Sequence, residues 1–130
     1  MNPPHHILVV EDDLLLRQLN TRALSSSGYE VDVAADGAAA WQALENDNYD
    51  LVITDNSMPK VTGVELLKKL RAARMVLPVI MATGILPEDE FTRCPWLQPA
   101  ATLLKPYTSE EMLRTVEKVL RETDGAPDDV

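Results

Sequence analysis

Short apolar runs rich in β-branched residues alternate along this chain with longer stretches of helical period, and this alternation limits the fold more than any other feature. Ile7 to Val10 is too brief for a helix of its own and reads as a strand buried on both faces, and Leu51 to Ile53, Val79 to Ala82 and Thr102 to Leu104 read as further strands. Tyr29, Val31 and Val33 alternate with Glu30 and Asp32, the period of two expected of a half-buried strand nearer a sheet edge. Between these runs lie the helical stretches. Leu16, Leu19 and Ala23 recur at i, i+3 and i+7 and are expected to form the inner face of a first helix, closed at Ser25-Ser26-Ser27-Gly28 by a left-handed glycine. A second helix follows Asp36-Gly37, turns Ala40, Trp41, Ala43 and Leu44 inward, and dissolves at Asn46-Asp47-Asn48. Val64, Leu67 and Leu70 mark a third.

A fourth helix beginning at Pro87 must be short, because Pro95 and Pro99 lack the amide proton and clash with the preceding turn. The last helix opens with a capping-box pair, Thr108 and Glu111, and carries Leu113, Val116 and Leu120 on one face. Strands and helices in alternation imply parallel strands joined by right-handed crossovers, with helices on both faces of the sheet. The expected fold is therefore a three-layer α/β sandwich around a five-stranded parallel sheet. A closed eight-fold barrel would need about twice the 130 residues present, so the sheet is open. That length fits a single domain over residues 1–130, with an ordered core at about 6–122 and loose tails at 1–5 and 123–130.

Composition narrows the function. Twelve basic against 21 acidic side chains leave a formal charge of −9, which repels a phosphate backbone and argues against direct binding of nucleic acid. The one cysteine, Cys94, cannot form an internal disulfide and lacks an activating neighbour, so an inert thiol in a reducing, cytoplasmic setting is expected. Four apolar residues before Glu11 are too few for a secretory core, and no stretch is long enough to cross a bilayer, so no membrane partner is expected. His5-His6 reads as a frayed terminus rather than a metal site.

In open α/β sheets, ligands bind beyond the carboxyl ends of the strands. After the first run come Glu11 and Asp12, after the third Asp55, after the fourth Thr83 and after the fifth Lys105, so useful side chains converge on one rim. Carboxylates brought together there repel by about 4 kcal/mol per pair at 4 Å and an effective dielectric near 20. A counter-cation is needed, and an oxygen-only donor set suits a hard ion such as Mg²⁺.

Val9-Val10-Glu11-Asp12-Asp13, Asp55 with Met58-Pro59 and Gly63, Thr83-Gly84, and Lys105-Pro106 together resemble the receiver domain of two-component response regulators, over residues 6 to 122. The resemblance implies the flavodoxin-like strand order 2-1-3-4-5. It also implies that Asp55 accepts a phosphoryl group from the phosphohistidine of a sensor histidine kinase or phosphotransfer protein. Mg²⁺ would be held by Glu11, Asp12, Asp55 and the backbone carbonyl of Ser57, while Lys105, before a cis proline, and the Thr83 hydroxyl would contact the phosphoryl group. Such a domain switches a protein-interaction face and turns over no separate substrate.

One position departs from the pattern: Thr102 stands where these proteins carry a Tyr or Phe whose ring turns inward on activation. Thr102 and the broken fourth helix motivate a second reading, a receiver-like binding module that signals without phosphate. A third, a small Mg²⁺-dependent phosphatase, needs a second aspartate two residues after the nucleophile, where this chain has Ser57. Trp41 is expected in the core, and Trp96, between Pro95 and Pro99, as a partner anchor or a packing plug.

Overall fold

The computed structural model describes residues 4–56, 62–84 and 97–123. Expectations for Ser57, Met58-Pro59, the short fourth helix, Cys94, Trp96 and the acidic C-terminal stretch lie outside these residues. The strands are β1 (His6–Val10), β2 (Glu30–Ala34), β3 (Leu51–Asp55), β4 (Val79–Thr83) and β5 (Ala101–Leu104). The helices are α1 (Leu14–Ser26), α2 (Gly37–Asn46), α3 (Gly63–Ala72) and α4 (Ser109–Thr123). All strand pairs are parallel, in the order β2-β1-β3-β4-β5, so the alternating strand does lie at an edge.

Strand alternation divides the core in two. Leu8, Val10, Val52, Val79 and Met81 meet Ala40, Leu44, Val64, Leu67 and Leu70 of α2 and α3. Ile7, Val9, Leu51, Ile53, Ile80 and Leu103 meet Leu24, Met112, Val116 and Leu120 of α1 and α4 on the other face. Central strands sandwiched in this way must be apolar throughout, which is why those runs show no alternation.

Several predicted details need correction. The inner face of α1 is not the stripe through Leu19: Leu19 is 48% exposed, whereas Leu24 and Asn20 are buried. The buried positions are Asn20 and Leu24, four residues apart with Leu16 partly buried one turn earlier, and the polar Asn20 hid this line from a hydrophobic pattern. On the edge strand, Val33 is 49% exposed and lines one surface cavity with the exposed Leu14. Trp41 is only half-buried: it packs against the core cluster beneath α2 and α3, with the Lys69 ammonium 5.5 Å from its ring centroid in a cation–π contact. His6 is no frayed terminus: it opens β1, and its amide donates to Asp50 Oδ2 at 2.8 Å.

The helix punctuation follows backbone chemistry. Asp13 caps α1 by accepting from the Leu16 amide at 3.1 Å. At the other end Gly28 adopts φ 95°, with Tyr29 N–H donating to Leu24 O and Gly28 N–H to Ser25 O, a Schellman closure. In α4, the Thr108 hydroxyl accepts from the Glu111 amide at 3.0 Å, as the capping-box pattern predicts. A second such box, Thr62 with Glu65, starts α3.

Candidate functional site

Parallel register brings the chemistry together. Val10 pairs with Thr54, so Glu11 and Asp55, one residue on in each strand, are neighbours. The Glu11 amide continues the ladder to Ala34 O at 3.0 Å, and the Lys105 amide continues it to Thr83 O at 2.9 Å. Glu11, Asp55 and Lys105 thus extend the parity of Val9, Ile53 and Leu103 and fall on the same side of the sheet. The Lys105 ammonium lies 3.0 Å from Glu11 Oε1 and 3.1 Å from Asp55 Oδ2, and the Lys105–Pro106 bond is cis.

Each group is held by its own local structure. Glu11 is buried, its Oε2 accepts from the Asp13 amide at 3.2 Å, and its carbonyl accepts from Arg17 at 3.0 Å. Asp55 ends β3, and the next residue, Asn56, accepts from the Val64 amide through Oδ1 at 2.9 Å. Gly63 lets α3 start this close: a Cβ there would lie 2.6 Å from the Asp55 carbonyl oxygen and 2.9 Å from Asn56 Cα. Asn20, buried in α1, donates to the Tyr107 hydroxyl at 2.8 Å and so ties α1 to the segment that carries Lys105. Asn56, Asn20 and Tyr107 were not among the predicted site residues. Their roles are long-range hydrogen bonds, which leave no local pattern.

Burial and charge oppose one another here. Burial pushes the Glu11 carboxyl above its ordinary range, and the Lys105 contact and the Asp13 amide only partly reverse this. For Lys105, burial favours the neutral amine, but the hydrogen bonds to Glu11 and Asp55 outweigh it and keep the ammonium above its usual value. Glu11, Asp12 and Asp55 each offer a carboxylate oxygen, all within 4.8 Å of one another. That oxygen-only set, with more negative charge than one lysine balances, fits a hard divalent cation. Asp13 is outside this group and serves as the helix cap instead.

Thr83 is fully buried at the end of β4, one residue beyond Ala82, the register partner of Asp55. Thr102 pairs with Met81 but faces outward and is exposed, as is Leu104 two residues on, at 57%. The two line an outer face of β5, away from the carboxylates.

The response regulator receiver domain family matches this chain over residues 7–117. The chain belongs to that family. As a receiver, it is 36% identical over 129 residues to the response regulator MprA of Mycobacterium sp. strain KMS, covering 96% of this chain and 55% of that protein. It is 33% identical over 122 residues to the alkaline phosphatase synthesis transcriptional regulatory protein PhoP of Bacillus subtilis, covering 92% of this chain and 50% of PhoP. The chain therefore spans about half the length of the curated relatives it matches. A CheY-like receiver domain protein from Methanospirillum hungatei superposes with a TM-score of 0.87 at 27% identity, covering 95% of this chain and 99% of that one. Chemotaxis response regulator CheY4 of Vibrio cholerae gives 0.80 at 30% identity, covering 89% and 98%. The described residues share the receiver fold with these structures, and phosphorylation-based two-component signalling is the general function of the family.

Proposed function

We propose that this receiver takes a phosphoryl group onto Asp55 from a phosphohistidine on a sensor histidine kinase or phosphotransfer protein, with Mg²⁺ held by Glu11, Asp12 and Asp55. The observation that carries this reading is the Lys105 ammonium bridging Glu11 and Asp55 beside a third carboxylate. An Asp55 carboxylate oxygen attacks phosphorus, the phosphorus–nitrogen bond to the histidine breaks, and the imidazole leaves with the bonding pair. The product is an acyl phosphate on Asp55. When bound, the divalent cation offsets the repulsion between the anionic nucleophile and the incoming phosphoryl group. Lys105 is placed to move from its present carboxylate partners to a phosphoryl oxygen, keeping one positive contact on the group after transfer. The Thr83 hydroxyl is assigned to another phosphoryl oxygen, which couples the β4–β5 side of the rim to the state of Asp55. The Ser57 carbonyl completes the proposed cation shell, at a position outside the described residues.

In this reading the chain, as one receiver domain with its core at about 6–122, changes a protein-interaction face and acts on no separate substrate. The cytoplasm is the matching compartment, and among the described residues no helix is long and apolar enough to cross a membrane. The strongly acidic balance of the chain opposes direct contact with nucleic acid. Because Thr102 is exposed and has no ring to turn, the readout is assigned to the Thr83 hydroxyl rather than to an aromatic rotamer at position 102.

Incubation with a small acyl phosphate and MgCl₂, followed by intact mass spectrometry, tests the proposal. One added phosphoryl group on the native chain and none on Asp55→Asn is expected. No gain, or a gain that survives Asp55→Asn, overturns the assignment and favours a receiver-like module that signals without phosphate.

A further inference from the structure

At the opposite end of the sheet from Asp55, three chain segments meet around the ring of His6. Its Nδ1 lies 3.0 Å from the Asn48 carbonyl oxygen, and its Nε2 lies 2.9 Å from Asp32 Oδ2. A carbonyl only accepts, so Nδ1 carries the hydrogen and donates it. In a neutral imidazole Nε2 would then present a lone pair to a carboxylate, a repulsive contact. A metal ion between Nε2 and the carboxylate turns that contact into an attractive one.

The surroundings favour a metal ion. His6, Asp32 and Asp47 each offer a ligand atom, all within 4.8 Å of one another. His6 is largely enclosed, with 19% of its side chain exposed, while the Asp32 side chain is 48% exposed and leaves a path from solvent. Among the described residues, none of Asp32, Asp47 and Asp50 pairs with a lysine or arginine. Two ligands that share an ion at about 2.1 Å sit about 3.0 to 3.4 Å apart, so the observed gap needs only slight opening.

The outer contacts have the character of a metal site too. A ligating histidine commonly donates its other N–H to a backbone carbonyl, which fixes tautomer and ring angle. The Tyr49 hydroxyl donates to Asp32 Oδ2 at 2.7 Å and stacks a tilted ring on His6 with centroids 4.3 Å apart.

We propose that His6, Asp32 and Asp47 form a second metal site, for a divalent transition ion of the zinc type, which staples β1, β2 and the α2–β3 connection together. An imidazole nitrogen selects such an ion over Mg²⁺, which prefers oxygen. The two sites therefore take different metals, and this one does not depend on phosphoryl transfer.

The test is calorimetric titration of ZnCl₂ into the native full chain, with MgCl₂ in excess to occupy the acidic rim. One zinc per chain is expected, lost in His6→Asn and weakened at least tenfold in Asp47→Asn, which leaves the His6–Asp32–Tyr49 contacts intact. Tyr49→Phe removes the hydroxyl that orients Asp32 and should weaken zinc by about tenfold. In parallel, the ¹⁵N resonance of His6 Nε2 should move to that of a metal-bound nitrogen. Absence of stoichiometric binding, affinity unchanged in both His6→Asn and Asp47→Asn, or an Nε2 signal that stays protonated at saturating zinc each overturns the proposal.

Discussion

Glu11 and Asp55 repel one another, and the single amine of Lys105 holds them within a shared contact at 3.0 and 3.1 Å. All three residue types were evident at strand ends in the sequence, as was Gly63 in the motif after Asp55, whereas the contacts that fix their positions were not. Gly63 is the clearest case, because its role is to lack a Cβ where α3 approaches the Asp55 carbonyl. Gly63→Ala should cost about 2 kcal/mol in urea unfolding, within the range for forced overpacking, and slow phosphoryl uptake by displacing the end of β3. Unchanged stability and uptake would mean that the backbone yields more easily than the 2.6 Å contact implies. Thr102 remains distinctive at this scale: it is exposed, so nothing in its packing demands the aromatic ring that receivers usually carry there.

Among the elements, α1 shows how a plausible period can choose the wrong stripe. Leu24 is fully buried among Ile7, Val9 and Met112, while Leu19 faces solvent. Leu24→Ala should cost about 3 kcal/mol, as a buried leucine does, and Leu19→Ala less than about 0.5 kcal/mol. Chemical denaturation of the two variants checks the assignment, and similar costs would contradict it. The start of α3 offers a pH-dependent counterpart. Donors on Thr62, its amide first and then its hydroxyl, hold the Glu65 carboxylate below its ordinary value of 4.5. A carboxylate with a depressed pKa in the folded state adds stability above its unfolded value and loses it as pH falls through the folded one. The native chain should therefore exceed Glu65→Gln in melting temperature at neutral pH, and the gap should close as the pH drops below about 4.5. A gap that persists in strong acid would assign the effect to something other than the capping carboxylate.

For the molecule as a whole, β1, β3 and β5 each contribute one member of the carboxylate–lysine cluster, so a cation bound there favours the folded state over the unfolded chain. At a hundred times its dissociation constant, Mg²⁺ should add about 2.7 kcal/mol. Asp12→Asn and Asp55→Asn should melt higher than the native chain without Mg²⁺, since a like charge is gone, and respond to Mg²⁺ little or not at all. Thermal melts with and without MgCl₂ check this, and an equal rise in all three proteins would place the ion elsewhere. The strand and helix alternation, the glycine closure of α1, the capping box of α4 and the chemical residues at the strand ends were all written locally, because backbone sterics and hydrophobic period act over a few neighbours. Which stripe of α1 is buried, how Asn20 reaches Tyr107, and why His6 is locked between Asp32 and Asn48 depended on partners far away in the chain. Only packing the sheet between its two helical layers sets the parallel register, and that register alone turns separate acids and a lysine into a single pocket.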